Sequence, residues 1–355
     1  MKKYKIGIIG FGGVANWHLR TFREEDYSRA EFVGIYDINP ERGKLAKEKG
    51  LKVYSSAEEM LTDQEIDIVL VATSNDVHKE LSIKALKAGK HVICEKPVTI
   101  TSDDLLDVME AAQKANKIFT INQNRRCNKD YIQMRNVVSS GALGKVYVIE
   151  SRVEGSRGMA WGWRSMKKMG GGSLLDWGVH LIDQLLLILD GKVTDVYCTM
   201  NRLRYKEVED NFRLVMHFDD GAEARIEVGT NNFIVRPRWY VLGENGTLQI
   251  DDWSGKGRMV QPTEDDEHWE EEIIYSKAGP TKTMIPRSKH TIKVTEYPEL
   301  EDVKDSLSVS YDQLIDAIED KAPLRIQPEE ALRVLKVIEA AFASAETGEC
   351  IKVCI

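Results

Sequence analysis

IGIIGFGGVANWH, residues 6–18, begins as an apolar run and breaks into glycines where a strand would end. Three readings compete: a strand feeding a phosphate-binding turn, a secretory leader, or a plain glycine bend. YKIGII, residues 4–9, has the length and β-branching of a buried strand, and residues 14–24 carry a helical pattern. The glycines read Gly10-x-Gly12-x-x-Ala15, one form of the dinucleotide fingerprint. Gly10 permits the tight turn, Gly12 lets the backbone approach a pyrophosphate, and Ala15 lets the helix pack closely on the strand. The helix N-terminus supplies N–H groups and partial positive charge for the phosphates. Lys2-Lys3 ahead of an apolar run superficially matches a leader, but Gly7, Gly10, Gly12 and Gly13 interrupt it, and Arg20, Arg23, Glu24 and Glu25 follow too soon for a span. A cytoplasmic protein is expected.

The next strand strengthens the first reading. EFVGIYD ends in Asp37, about twenty residues beyond the turn, where a carboxylate accepts hydrogen bonds from the adenosine ribose. That charge repels a 2′-phosphate, so NAD is expected over NADP. The competing role, a cap for the next helix, is weakened because Asn39-Pro40 already makes a good N-cap and first-turn pair.

At 355 residues the chain is long for one core, which favours more than one domain. Its 42% hydrophobic and 30% charged content is that of an ordinary globular protein. A formal net charge of −8 without a basic stripe argues against nucleic-acid binding. Cys94, Cys127, Cys198, Cys350 and Cys354 form an odd set without CxxC pairs, so neither a disulfide framework nor a metal site is expected.

Strands are predicted at 66–73, 91–97 and 117–124, with helices at 76–88 and about 102–116 between them. This alternation implies a doubly wound parallel sheet, whose ligands bind beyond the carboxyl ends of the strands. The rim so defined holds Thr73, Ser74, Asn75, Glu95, Lys96, Pro97, Asn122 and Asn124. Lys96 before Pro97 is either an ordinary extended turn or a cation aimed at a substrate oxygen.

Beyond residue 125 the pattern changes to hairpin-like strands within 144–155, 192–204, 211–229, 238–251 and 290–296, an α+β unit with a largely antiparallel sheet. Within it, GGGSLLDWGVHLIDQLLLIL (170–189) predicts a buried helix over Leu174–Leu189 carrying Asp176, His180 and Asp183 on one polar stripe. Ser173-x-x-Asp176 also fits a capping box, and a buried histidine is commonly a core residue, so the residues alone leave catalysis and structure both open. Just before the glycines, Arg157, Trp161, Trp163 and Arg164 are candidates for substrate contact, since aromatic faces pack on sugar C–H groups and arginines bind hydroxyls or anions. Apolar Leu314, Ile318, Leu332, Leu335 and Ile338 recur at helical spacing near the C-terminus.

Several stretches together resemble the Gfo/Idh/MocA oxidoreductases: Gly10-Phe11-Gly12-Gly13-Val14-Ala15, Thr73-Ser74-Asn75-Asp76-Val77-His78, Ala88 through Glu95-Lys96-Pro97, Asn124-Arg125-Arg126, Gly170 through Asp176-Trp177-Gly178-Val179-His180, and Tyr311 through Ile318. The resemblance implies an NAD-binding Rossmann domain (1–124), an α+β substrate and oligomerisation domain (125–310), and C-terminal helices (311–355) packing back across both. It implies Lys96, Asp176 and His180 as the catalytic set, with Asp176 also on substrate. The cofactor set becomes Gly10, Gly12, Gly13, Val14, Ala15, Asp37, Thr73, Asn75, His78, Glu95, Lys96 and Asn124. The expected reaction is NAD-dependent oxidation of a secondary hydroxyl of a sugar, glycoside or polyol, with His180 as general acid/base and Lys96 polarising the oxygen. Inositol dehydrogenation, redox-neutral glycoside processing with retained NAD, and an NAD-dependent sensor are alternatives. A homodimer or homotetramer through the open sheet is expected. Residues 254–300 depart from the family pattern: the acidic run 264–272 is expected as a solvated loop, and the basic segment 277–293 as a reach towards a neighbouring subunit or the substrate entrance.

Overall fold

The computed structural model describes residues 2–263, 273–281, 287, 289–301 and 307–355. The acidic run at 264–272 lies outside the described residues, as does part of the basic segment.

The opening stretch is strand β1 (Tyr4–Ile9) followed by helix α1 (Gly13–Glu24). Apart from Lys5, β1 is apolar because it is buried between two parallel neighbours, β2 (Ala30–Tyr36) and β4 (Ile68–Val71). With β3 (Lys52–Val53), β5 (His91–Cys94) and β6 (Phe119–Ile121) the sheet order is β3-β2-β1-β4-β5-β6. The order reverses between β1 and β4, which opens a crevice at the glycine turn. Ala15, His18, Leu19 and Phe22 form the buried face of α1, at the spacing of an amphipathic helix. Helices α2 (Pro40–Glu48), α3 (Ala57–Thr62), α4 (His78–Lys87) and α5 (Ser102–Ala115) supply the remaining crossovers. Asn39 caps α2 by accepting from Glu41 N–H, as its sequence position suggested.

After α6 (Lys129–Ser139) come β7 (Val146–Glu154), α7 (Val179–Leu186), β8 (Val193–Asn201), β9 (Asn211–Phe218), β10 (Glu223–Gly229), β11 (Trp239–Gly243), β12 (Gly246–Ile250) and β13 (Gly257–Pro262). A short hairpin, β14 (Ile274–Ser276) and β15 (Gly279–Thr281), precedes β16 (Ile292–Tyr297). Helices α8 (Leu307–Ile318) and α9 (Pro328–Thr347) and strand β17 (Ile351–Lys352) complete the chain. The second sheet has nine strands, β16-β13-β12-β11-β7-β10-β9-β8-β17; among its neighbours β7 and β10 are parallel and the rest antiparallel. Alternate residues of β9, Phe212, Leu214, Met216 and Phe218, are buried, while Arg213 is exposed, so one face packs and the other carries charge. β13 escaped the sequence reading because Gly257, Arg258 and Pro262 dilute its apolar pattern.

α8 returns to the Rossmann sheet, where Tyr311 is buried among Phe22 and Phe32, and Arg29 pairs with Asp312, Asp316 and Glu319. α9 runs between the two sheets: Glu339 accepts from the Ser102 backbone at the start of α5, and Ser344 Oγ accepts from Cys198 N–H in β8. At this junction buried Arg126 makes a bidentate pair with Asp183 of α7 (2.6 and 2.7 Å) and a third bond to Glu330 of α9 (2.9 Å). These carboxylates outweigh burial and hold the guanidinium charged. None of the five cysteines forms a disulfide. Among the described residues, no helix is long and apolar enough to cross a membrane, and no group of three or more side chains is arranged to hold a metal.

Arg126→Met strands Asp183 as an uncompensated buried charge and is expected to lower unfolding free energy by about 3–5 kcal/mol. Urea denaturation of this variant beside Arg126→Met/Asp183→Leu, which should recover much of the loss, checks it; an unchanged single variant would contradict the role.

Candidate active site

The glycine turn has the shape the fingerprint requires. Gly10 has φ +90°, and a Cβ there would lie 2.6 Å from Ala72 O, so this position needs glycine on both counts. A Cβ at Gly12 or Gly13 would meet nothing within 4 Å, and Gly12 caps α1 without a side-chain hydrogen bond. The start of α1 is therefore open where these side chains would stand, so a pyrophosphate could approach its backbone. Asp37 sits against the turn: Phe11 N–H donates to Oδ2 (2.6 Å) and Asn39 N–H to Oδ1 (2.8 Å). Ala15 is fully buried, and Val14 and Gly13 border a cleft of about 400 Å³ shared with Trp17, Asn124, Arg125 and Cys127. Asn124 Oδ1 is buried there without a protein partner. A dinucleotide fits these residues.

The other rim residues divide by what they touch. Thr73 lies against Gly10. Asn75 donates through Nδ2 to Gly170 O (2.8 Å), tying the rim to the glycine loop of the second unit. His78 is fully buried, with Nδ1 2.9 Å from Pro97 O and Nε2 3.3 Å from Thr73 O, so it braces two rim loops and has no exposed edge for a cofactor. Glu95 is likewise buried, accepting from Asn122 Nδ2 (2.7 Å) and lying 3.0 Å from His18 Nε2, whose other nitrogen meets Tyr311 OH. Burial opposes its ionisation, but His18, Asn122 and Lys96 prevail and hold it below the usual carboxylate range.

Lys96 follows Glu95 at the end of β5, and its peptide bond to Pro97 is cis. Its Nζ donates to Asp176 O (2.7 Å) and Asp176 Oδ1 (2.9 Å). Asp176 belongs to a π-helical turn, Leu174–Gly178, that leads into α7. The uninterrupted helix expected over Leu174–Leu189 is thus replaced by this turn and an α-helix ending at Leu186. Gly178 packs closely within this turn: a Cβ there would lie 2.7 Å from Leu174 Cδ1. π-turns recur at functional sites.

The widened turn also separates the predicted polar stripe into three contacts. Asp176 meets Lys96 and, at 3.3 Å, Arg164 Nε; His180 Nδ1 lies 3.1 Å from Gln123 Oε1; Asp183 meets Arg126. Asp183 is therefore a structural partner. Burial raises the Asp176 carboxyl, yet Lys96 and Arg164 more than offset it and keep it ionised below its ordinary range. Burial, then Lys96, Arg125 and Arg238, push the His180 imidazolium down, so the ring is neutral at physiological pH.

The capping-box reading of Ser173 is corrected. Ser173 has helical backbone angles, makes no cap bond, and its buried Oγ has no partner. Glu209, unread in the sequence, takes the role: Oε1 accepts from Leu174 N–H (2.8 Å), and its backbone O accepts from Ser173 N–H (3.0 Å). It approaches because Gly172, at φ +110°, has no Cβ in its way. Of the substrate candidates, Arg164 reaches Asp176 and stacks over Trp163 (4.4 Å); Trp161 is exposed beside Tyr205; Arg157 is exposed. Trp253 was also missed: it stacks on Trp177, with Arg125 near both rings and Arg238 over Trp253.

Two family models cover most of the chain. Residues 4–123 match the oxidoreductase family with NAD-binding Rossmann fold, and residues 131–249 match the Gfo/Idh/MocA C-terminal domain. The chain belongs to the Gfo/Idh/MocA oxidoreductases. It is 41% identical to an NAD-binding protein from Listeria innocua of solved structure, with TM-score 0.93 over 99% of this chain and 100% of that one. It is 31% identical to myo-inositol 2-dehydrogenase of Thermotoga maritima over 72% of this chain and 74% of that protein. A Bacillus subtilis scyllo-inositol 2-dehydrogenase (NADP(+)) is 26% identical over 96% of this chain and 94% of its own length. Both expected sheets of this Gfo/Idh/MocA protein, parallel and largely antiparallel, are present.

Ser173→Ala should leave unfolding free energy unchanged or slightly raised, because it deletes an orphan hydroxyl, whereas Glu209→Ala should cost about 0.5–2 kcal/mol through the lost cap. Paired denaturation curves decide; the reverse ranking would restore Ser173 as the cap.

Proposed function

We propose that this oxidoreductase transfers a hydride between NAD and a secondary hydroxyl of a sugar, glycoside or polyol. The observation that carries the reading is the meeting of Lys96, from the first unit, with Asp176 and neighbouring His180, from the second, on the rim that also holds the glycine turn. The relatives' names favour a polyhydroxylated substrate.

NAD, when bound, supplies the two-electron acceptor. Gly10, Gly12, Gly13, Val14 and Ala15 would hold its pyrophosphate at the start of α1, with Asn124 and Thr73 beside the turn. Asp37 spends one lone pair of each oxygen on main-chain N–H groups, which leaves capacity for the ribose hydroxyls. Its charge disfavours a 2′-phosphate, so NAD is preferred here although the Bacillus subtilis relative is named for NADP. Asn75, His78 and Glu95 serve the cofactor indirectly, by fixing the loops around it.

Neutral His180 accepts the hydroxyl proton and, in the reverse direction, returns it. The Lys96 ammonium stabilises negative charge developing on that oxygen. Asp176, kept ionised by Lys96 and Arg164, accepts hydrogen bonds from substrate hydroxyls and holds Lys96 in place. Trp177 and Trp253 offer faces for the C–H surface of a ring, with Trp163 and Arg164 at the edge. Trp161 and Arg157 serve as outer contacts.

Absorbance at 340 nm with NAD or NADP and a panel of sugars, glycosides, polyols and inositols tests this. One substrate should give a rise, greater with NAD, and Lys96→Met and His180→Asn should each lower kcat by about a hundredfold or more, with NAD binding persisting in His180→Asn. Variants as active as the parent would sink the assignment. NAD retained through purification with no net rise would replace it by internal redox cycling, and product analysis would separate that from a sensor.

A further inference from the structure

We propose that Gln123 is the positioning residue that fixes the tautomer of His180 and so makes Nε2 the atom that exchanges the proton. This inference rests on the reading of His180 as acid/base.

Gln123 follows β6 and is 2% exposed; His180, on α7, is 3% exposed. Gln123 Oε1 lies 3.1 Å from His180 Nδ1. An amide oxygen only accepts, so a neutral imidazole here carries its proton on Nδ1 and its lone pair on Nε2. The opposite amide orientation would place the NH₂ group against Nδ1, force the proton onto Nε2 and remove the base from that atom. The tautomer therefore decides which ring nitrogen can take a substrate proton. Gln123 Nε2 is buried without a protein partner, which leaves both N–H donors of the amide uncommitted.

The charge around the ring explains why an amide suits this position. Lys96 from the loop after β5, Arg125 from the turn after β6, and Arg238 ahead of β11 are the cations acting on His180. Carboxylates near them are committed: Asp176 to Lys96 and Arg164, Asp130 to Arg238, and Asp183, further along α7, to Arg126. Trp177 meets the ring edge-on, with centroids 6.1 Å apart. Gln123 thus orients the imidazole without adding charge, and the ring stays neutral. A carboxylate in the same place would orient it equally but favour the imidazolium.

Long-range ¹H–¹⁵N correlation on the full-length protein with labelled histidine, the His180 signal assigned by its loss in His180→Asn, reads the tautomer directly. The proposal predicts the Nδ1–H form at neutral pH, a switched or mixed tautomer in Gln123→Leu, and in Gln123→Glu an imidazole titrating about 1–3 pH units higher. Once a substrate is known, the acid limb of kcat/KM should move upward with that last change; a merely structural role would move neither. An Nε2–H form in the parent protein overturns the proposal even if no variant folds, as does an unaltered tautomer in Gln123→Leu. Full turnover by His180→Asn would instead overturn the acid/base reading while leaving the tautomer result intact.

Discussion

The Lys96–Asp176 ion pair, 2.9 Å between Nζ and Oδ1, joins a strand end of one unit to a helix start of the other, and the arrangement of the site depends on it. Each side chain is mostly buried, so each needs the other: a carboxylate or ammonium removed from water is costly unless paired and hydrogen-bonded. Mutual need makes this contact a constraint on how the second unit approaches the first. Once Lys96 reaches both the side chain and the backbone oxygen of Asp176, the π-turn is anchored over the rim. His180 then follows one turn later, within the same electrostatic field.

Behind that pair lies a series of buried polar contacts, each fixing one loop. Glu95 is held by Asn122 and His18, and His18 by Tyr311 of α8, so the C-terminal helix bears indirectly on the lysine loop. His78 ties the lysine loop to the strand end at Thr73; Asn75 ties that strand end to Gly170. Glu209 holds the π-turn, and Arg126 fastens α7 to α9. Such contacts add little net stability compared with apolar burial, but breaking one partner is expensive, which favours a single arrangement.

The parallel sheet was readable because its signals are local: apolar runs of strand length, glycines at fixed offsets, and helix caps such as Asn39-Pro40. The family resemblance is what proposes Lys96, Asp176 and His180 as the site, whereas their spacing alone allowed a capping box and a core histidine. The π-turn was invisible because the apolar pattern of 174–189 suits an α-helix, and the carboxylate that accepts from its first N–H comes from residue 209, distant in sequence. Gln123 lay within a predicted strand with nothing to separate it from its neighbours; only the approach of α7 gives it a role. His78 shows the opposite case: its motif points to the cofactor, while folding directs both nitrogens to backbone carbonyls.

The central claim is that two units assemble one redox site around the lysine–aspartate pair. A crystal structure of the full chain with NAD tests it most directly. The account predicts the pyrophosphate on the Gly10–Ala15 turn and the nicotinamide beside Lys96 and His180, with Lys96 still within hydrogen-bond reach of Asp176. A nicotinamide remote from those residues, or a Lys96 separated from Asp176 in the complex, would contradict it.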